Sequence, residues 1–415
     1  MVRSLTVFFL IAVFLPAAVS AQTVQYTKRA KSEIRDGPGN YYPLLYVFPP
    51  GVPVVPLKHQ DGWVNIHVAV EKQSQITGWM SKYCLVEKTP ASPLKDPGLI
   101  VGSPKASASS VSAAIRGFAL RYGKTSSEAV DSLVKLYRRF FTPAEYAQFR
   151  LESPNFKETS HRKRAFVEKG SFLGEYDATM EEDGVGLGVA ARVAGEGLVD
   201  DPQRLKYLNL LATLLSEASG AYDCPFRVLI VRSNQVNAIA IPGGFIFFTE
   251  PMLRLCRDEA ELGGIIAHEM SHIIMKHGVR EISERWMNIK MDEAMKELET
   301  ETGEGPDSIE QDLEDLSVAA YETVNKPRLQ SYEEAADSGA ALMLANAGYD
   351  PTAVPRMVMR IRDAVRQNDQ VQEENPFAHL DFENRYENVH KFISEELSEA
   401  KGITNQQRFV KNVKK

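Results

Sequence analysis

Cysteine is almost absent from this chain: three in 415 residues, at positions 84, 224 and 256. Three thiols allow at most one internal disulfide and leave one over, and none stands at the spacing of a zinc-ligand or redox pair. Cysteine therefore does not organise the fold. Long apolar runs are nearly as scarce. Beyond the first 21 residues, the run AIAIPGGFIFF is too short to cross a bilayer and is broken by Pro242-Gly243-Gly244. A uniform basic charge is also missing, which removes the general case for nucleic-acid binding. Residues 22–180 carry 22 Lys and Arg against 14 Asp and Glu, and residues 181–415 carry 25 against 41, so the two parts differ in sign at about +8 and −16. Such asymmetry favours contact between them.

What the chain does have begins with an export signal over residues 1–21: Arg3, the apolar run LTVFFLIAVFLPAAV, and the small-residue site Val19-Ser20-Ala21. Cleavage is expected after Ala21. That places the mature chain outside the cytoplasm, in a periplasm or similar compartment, soluble or peripherally associated and without a transmembrane span.

Residues 22–88 alternate apolar and polar side chains between turn signals, as in IRDGPGNYYPLL, FPPGVPVVPL, HQDGWVNIHV and TGWMSKYCL. Short strands at this spacing mean a small all-β barrel or sandwich. The order I-R-x-G-P, a G-x-x-V hairpin, D-G-W and G-W-x-x-x-Y-C-L resembles the bacterial SH3-like domain. Ile34, Trp63, Ile66 and Trp79 are then expected in its core. Tyr41, Tyr42 and Tyr83 would either line a groove for a peptide or peptidoglycan ligand or form an exposed aromatic edge. Residues 89–112, rich in Pro, Gly, Ser and Ala, read as a flexible linker. Residues 113–180 have helical spacing and no evident chemistry, with Ser126 or Ser127, and Thr142, as expected cap residues. Residues 181–398 combine a helix, QRLKYLNLLATLLSEAS, a strand, FRVLIVRS, and a hairpin-like NAIAIPGGFIFFTE with further helices; residues 399–415 form a basic tail. The fold class is α+β, mainly helical in its larger domain with a small sheet.

Directly after the hairpin comes AHEMSHIIMKHGVR. His268 and His272 are four apart, about 40° in azimuth on a helix, so both imidazoles reach one point. Glu269 lies next to the first and is angled away, placed to take a proton without ligating. His277 falls about 180° from His268 while the helix continues, and is expected to be structural. The neighbours Leu262, Ile265, Ile266, Ala267, Met270, Ile273 and Ile274 make this a core helix, where buried polar groups without partners cost about 1–3 kcal/mol each. A metal satisfies them. Downstream, Glu333 and Asp337 share one helix face: Glu333 can complete a His, His, Glu site with a fourth position for water, and Asp337 can hold the outer nitrogen of a ligand histidine. Glu334, about 100° away, is expected in solvent.

Taken in order, NAIAIPGGFIFFTE, AELGGIIAHEMSHIIMKH and EEAAD resemble the N-A-F-x-L-P-G-G, H-E-x-x-H and E-x-x-x-D elements of the HtpX-like and CAAX-prenyl-protease group of gluzincin metallopeptidases. The resemblance runs from about residue 183 to 395. It implies one Zn²⁺ per chain on His268, His272 and Glu333, Glu269 as general base, a zincin-type fold, and endopeptidase activity on protein or peptide substrates. The lack of spanning helices makes the chain look like an exported branch working in envelope protein quality control. The group's H-P-x-x-x-x-R element stands here as His379-Leu380 followed by Arg385, with the proline lost. His379 would either donate to the developing oxyanion or reach the zinc, and Arg385 would pair with a substrate carbonyl. Substrate backbone would pair with the strand edge near Asn237 and Ala238. Two other functions compete. A chaperone or holdase is suggested by the methionine stripe Met287, Met291 and Met295. A cell-wall-binding protein with a weak or inactive peptidase domain is suggested by the SH3-like segment.

Overall fold

The computed structural model describes residues 24–70, 75–90, 140–153, 175–178, 180–281, 328–367 and 380–413. The signal segment, all but the first two residues of the linker, most of the expected helical region, the methionine stripe and His379 lie outside the described residues.

The N-terminal strands are β1 (Gln25–Thr27), β2 (Ser32–Arg35), β3 (Leu44–Phe48), β4 (Pro53–Gln60), β5 (Trp63–Ala69), β6 (Gln75–Ser81) and β7 (Leu85–Val86). They form one antiparallel sheet in the order β3-β2-β6-β5-β4-β1-β7. The expected barrel is not closed. Closure would require β3 and β7 to share a continuous ladder, and β7 is two residues long and pairs with β1. The alternation of β5 puts Val64, Ile66 and Val68 into a core with Ile34, Phe48 and Met80.

The remaining elements are α1 (Pro143–Leu151), α2 (Met180–Gly195), α3 (Pro202–Glu217), β8 (Arg227–Val231), β9 (Ala238–Ile241), β10 (Phe245–Thr249), α4 (Glu250–Leu255), α5 (Glu259–Ile274), α6 (Gln330–Ala347), α7 (Ala353–Arg366), α8 (Phe382–Glu396) and α9 (Gln406–Val413). Thr142 caps α1 through a capping box with Glu145, and Asp201 and Asp258 cap α3 and α5. Strands β8 and β10 run parallel, and β9 pairs antiparallel with β10, leaving β9 at the edge. The β9–β10 turn needs Gly243 and Gly244, both at positive φ (85° and 92°). Period-two alternation then covers both faces of this small sheet. Val228, Ile230, Ile246 and Phe248 join the core with α3 and α5, whereas Leu229, Val231, Phe245 and Phe247 pack on α2.

Helix α6 lies along α5, and a Cβ on Gly339 would stand 2.5 Å from Ser271 Oγ, so only glycine allows the two backbones to come this close. The C-terminal residues form a docked helix: Phe409 is fully buried, and Arg408 Nε lies 2.6 Å from Glu259 at the start of α5.

The N-terminal sheet is bonded to the larger domain. Arg29 binds Asp223 at 2.7 Å and Lys31 pairs with Asp183, as the opposite charges of the two parts suggest, and Arg29 also binds Glu175 at 2.8 Å. Asn40 Nδ2 lies 2.9 Å from the carbonyls of both Tyr222 and Cys224, and the Tyr222 hydroxyl donates to Gly62 O at 2.7 Å. The ring of Tyr41 rests on Tyr146 and on Tyr42, and that of Tyr83 on Tyr222, with centroids 4.4, 4.8 and 5.3 Å apart. These aromatic faces are used inside the chain, and no observation supports a peptidoglycan ligand for them. The three thiols are free and buried; burial pushes Cys84 and Cys224 up to about 12.

Candidate active site

Helix α5 presents His268 and His272 from successive turns with their Nε2 atoms 3.1 Å apart. Across from them α6 brings Glu333, whose Oε2 is 3.4 Å from His268 Nε2 and whose Oε1 is 3.3 Å from His272 Nε2. One ligand atom from each of the three lies within 4.8 Å of the others. The outer nitrogens are occupied: His268 Nδ1 meets Asp337 Oδ1 at 2.9 Å, and His272 Nδ1 meets His277 Nδ1 at 2.9 Å. With Nδ1 engaged on each ring, both Nε2 lone pairs are aimed at one point beside a carboxylate, a donor set that fits a metal ion.

Arg385, on α8, is buried and reaches the back of this cluster. Its Nε and Nη2 bind the two oxygens of Asp337 at 2.8 and 2.9 Å, and its Nη1 stands 3.0 Å from Glu333 Oε2. Glu334, expected in solvent, instead accepts from Gln330 and from Asn384 of α8 at 2.9 and 2.8 Å, which fixes α8 against α6.

Burial opposes the ionisation of Glu333 and Asp337, but the Arg385 guanidinium and the histidine hydrogen bonds outweigh it and hold both below the usual carboxylate range. Burial also opposes a proton on His268, yet its bonds to Asp337 and Glu333 raise it to about 10. At Glu269 burial outweighs the charges of His268, Arg328 and Arg385 and pushes the carboxyl up. Burial, then the charges of Arg328 and Arg280, lowers His277 to about 4.

Edge strand β9 flanks the cluster: Ala240, Pro242, His272, Lys276 and Arg328 line one small cleft. Thr249 N donates to Asn237 O, and Asn237 N donates to Thr249 Oγ1, each at 3.1 Å. Asn237 therefore spends its main chain on β10, and by antiparallel alternation Ala238 and Ala240 turn theirs to the free edge. Arg328 Nη2 donates to Ala240 O at 3.2 Å.

Sequence reasoning set His277 apart from the site as structural and did not single out Lys276 or Arg328. Helix α5 does not continue to His277. Lys276 adopts φ 58°, and the chain turns so that His277 comes back onto His272. The Gly278 that follows was a weak sign of a helix end; nothing in the local sequence marks Arg328.

Two imidazoles and a carboxylate converging beside an unligated buried glutamate make the chemistry of a metalloendopeptidase. Residues 202–398 match the model of Peptidase family M48. The chain is similar to the Beta-barrel assembly-enhancing protease of Yersinia pestis, 26% identical over 180 residues covering 42% of this chain and 36% of that protein. The protein of the same name from Escherichia coli (strain K12) is 22% identical over 182 residues, 41% of this chain and 35% of that protein. The Mitochondrial metalloendopeptidase OMA1 of Schizosaccharomyces pombe is 29% identical over 77 residues, 19% of this chain and 23% of that protein. The chain thus spans about a third of the length of the Beta-barrel assembly-enhancing proteases it matches.

Proposed function

We propose that this chain is a zinc-dependent endopeptidase that cleaves flexible or unfolded segments of envelope proteins outside the cytoplasm, an HtpX-like relative acting in protein quality control. The observation that carries the reading is the convergence of His268 Nε2, His272 Nε2 and Glu333 within 4.8 Å. Two nitrogens, one carboxylate and room for water are what a catalytic zinc site requires. The name of the similar bacterial proteases supports the substrate class.

Zinc held there supplies Lewis acidity, lowering the pKa of water toward about 7 and polarising a carbonyl. Glu269, its own affinity for protons raised by burial, takes the proton of the attacking water and passes it to the amine as the C–N bond breaks. Asp337 orients His268, and Arg385 neutralises Asp337 and Glu333. Arg385 is thereby a positioning group, with His379 assigned as donor to the oxyanion. Substrate backbone pairs with the free edge of β9 at Ala238, with Asn237 supporting that strand from the β10 side. Because such pairing reads main chain more than side chains, specificity is broad. No helix among the described residues is long and apolar enough to cross a membrane.

The test is metal content with cleavage of an unfolded protein such as casein. The expected result is one zinc per chain and activity abolished by chelator. Glu269→Gln should keep the zinc and the fold and cleave at least about 10²-fold more slowly. A wild-type chain with no zinc under metal-replete conditions, or full activity in Glu269→Gln, would sink the proposal.

A further inference from the structure

The two ligand histidines are held from behind in different ways. His268 leans on a carboxylate, Asp337, whereas His272 leans on a second imidazole, with its Nδ1 2.9 Å from His277 Nδ1. Only one proton can lie between two ring nitrogens at that distance. For Nε2 of His272 to offer a lone pair to a metal, the proton of His272 must sit on its Nδ1, so His277 Nδ1 is the acceptor and the proton of His277 is on Nε2.

The chain goes to some length to bring that acceptor in. Lys276 holds the left-handed conformation, φ 58°, which is unfavourable for a residue with a Cβ. Its ammonium is tied down by Asp177 O at 2.8 Å and by both oxygens of Glu182 at 2.9 and 3.1 Å. On its other side, the His277 ring stacks on Tyr332 with centroids 4.2 Å apart and planes 3° from parallel. Tyr332 is the neighbour of Glu333, so one stack sets His277 relative to both α5 and α6.

Charge explains why an imidazole is used. Glu269, Glu333 and Asp337 are all buried in this cluster, the last two paired with Arg385. A further carboxylate behind His272 would add a buried anion. A neutral imidazole accepts the same hydrogen bond without adding charge.

We infer that His277 is a positioning residue of the metal centre, whose Nδ1 fixes His272 with Nε2 toward the ion. This rests on the metallopeptidase reading above. A packing role for the ring predicts the opposite ranking of two substitutions. His277→Phe keeps a ring against Tyr332 and removes the acceptor; His277→Asn places Oδ1 near the position of Nδ1 and removes the ring.

The measurement is the zinc dissociation constant of the full chain, by competition with a chromophoric chelator, with the thermal midpoint of each zinc-free variant as the control on folding. His277→Phe should bind zinc about 10- to 100-fold more weakly, as loss of such a partner does elsewhere, and His277→Asn within about threefold of wild type. Weaker binding in Asn than in Phe, or wild-type binding in both, overturns the inference while leaving the metallopeptidase reading intact. Should His277→Phe not fold, His277→Asn decides alone: near-wild-type affinity supports the inference and a tenfold loss overturns it. Zinc-free wild type would remove the underlying reading and the inference together.

Discussion

Arg385 and Asp337 are joined by two parallel contacts, Nε to Oδ2 at 2.8 Å and Nη2 to Oδ1 at 2.9 Å, and both side chains are buried. Asp337 Oδ1 also meets His268 Nδ1 at 2.9 Å, so the guanidinium acts on the metal centre through one carboxylate. Planar, bidentate geometry of this kind suits arginine and not lysine.

Arg385→Ala should therefore be severe. It removes the guanidinium that both buried carboxylates, Asp337 and Glu333, are paired with, a loss of about 3–5 kcal/mol for a broken buried pair. Urea unfolding of the zinc-free chain checks the stability. Arg385→Lys restores the charge without the fork, and should recover part of the stability while kcat stays low. Equal stability of Arg385→Ala and wild type would show that the pair contributes nothing.

The N-terminal sheet offers a second test. The Asn40 side-chain amide donates to two main-chain carbonyls, of Tyr222 and Cys224, at 2.9 Å each. Asn40→Ala leaves both without that donor and should cost about 1–3 kcal/mol. Arg29→Ala, which strands the buried Asp223, should cost at least as much. A chain beginning at residue 113 is then expected to be less stable than the full chain and to expose apolar surface around Tyr222. Identical thermal midpoints of the short and full chains would show that the contact is energetically idle.

Acid stability follows from two helix-terminal aspartates. A main-chain hydrogen bond from Arg204 lowers Asp201 below its ordinary value of 3.8. At Asp350, burial acts upward but bonds from Thr352 and Arg356 win, and it too is lowered. Because the folded pKa lies below the unfolded one, the stability these groups add is present above about pH 4 and lost as pH falls through the folded values. Asn at 201 keeps the cap, Asn at 350 keeps an oxygen to accept from Thr352 N, and both remove the titration. Asp201→Asn and Asp350→Asn should each flatten the decline of the urea midpoint between about pH 6 and pH 3. An unchanged slope in both would refute the assignment.

Much of the metal centre was legible because its parts obey local periodicity. His268 and His272 are four apart, Glu333 and Asp337 are four apart, and the apolar positions around them mark buried helices. The β9–β10 hairpin was visible for the same reason, from its Pro-Gly-Gly turn. The rest depends on partners distant in the chain. His277 reaches His272 because Lys276 is held left-handed by Glu182, 94 residues earlier. The sheet stays open because β7 ends after two residues, a matter of pairing that alternation does not encode. Tyr41 and Tyr83 read as either a ligand groove or an aromatic edge, which is equally the signature of an interface, and their partners Tyr146 and Tyr222 carry no mark.

The basic C-terminal tail was the least legible part, and it supplies the last prediction. Glu259, fully buried at the first turn of α5, accepts from Tyr207 and Tyr349 hydroxyls at 2.7 and 2.6 Å, from Asn405 at 2.9 Å and from Arg408 Nε at 2.6 Å. Of these four donors Arg408 alone is charged. The residue is 149 positions away, on α9, and its guanidinium also covers the ring of Phe149 at 4.1 Å. Arg408→Ala strands a buried carboxylate among neutral donors, and the expected loss is about 3–5 kcal/mol. Glu259→Gln in the same background removes the stranded charge and should restore a large part of it, so the double variant is expected to be more stable than Arg408→Ala alone. If α9 matters only for the packing of Phe409, the second substitution brings no recovery. Urea midpoints of the wild type, both single variants and the double variant decide between the two, because the coupling between the sites is what a charge pair produces and what independent packing losses do not.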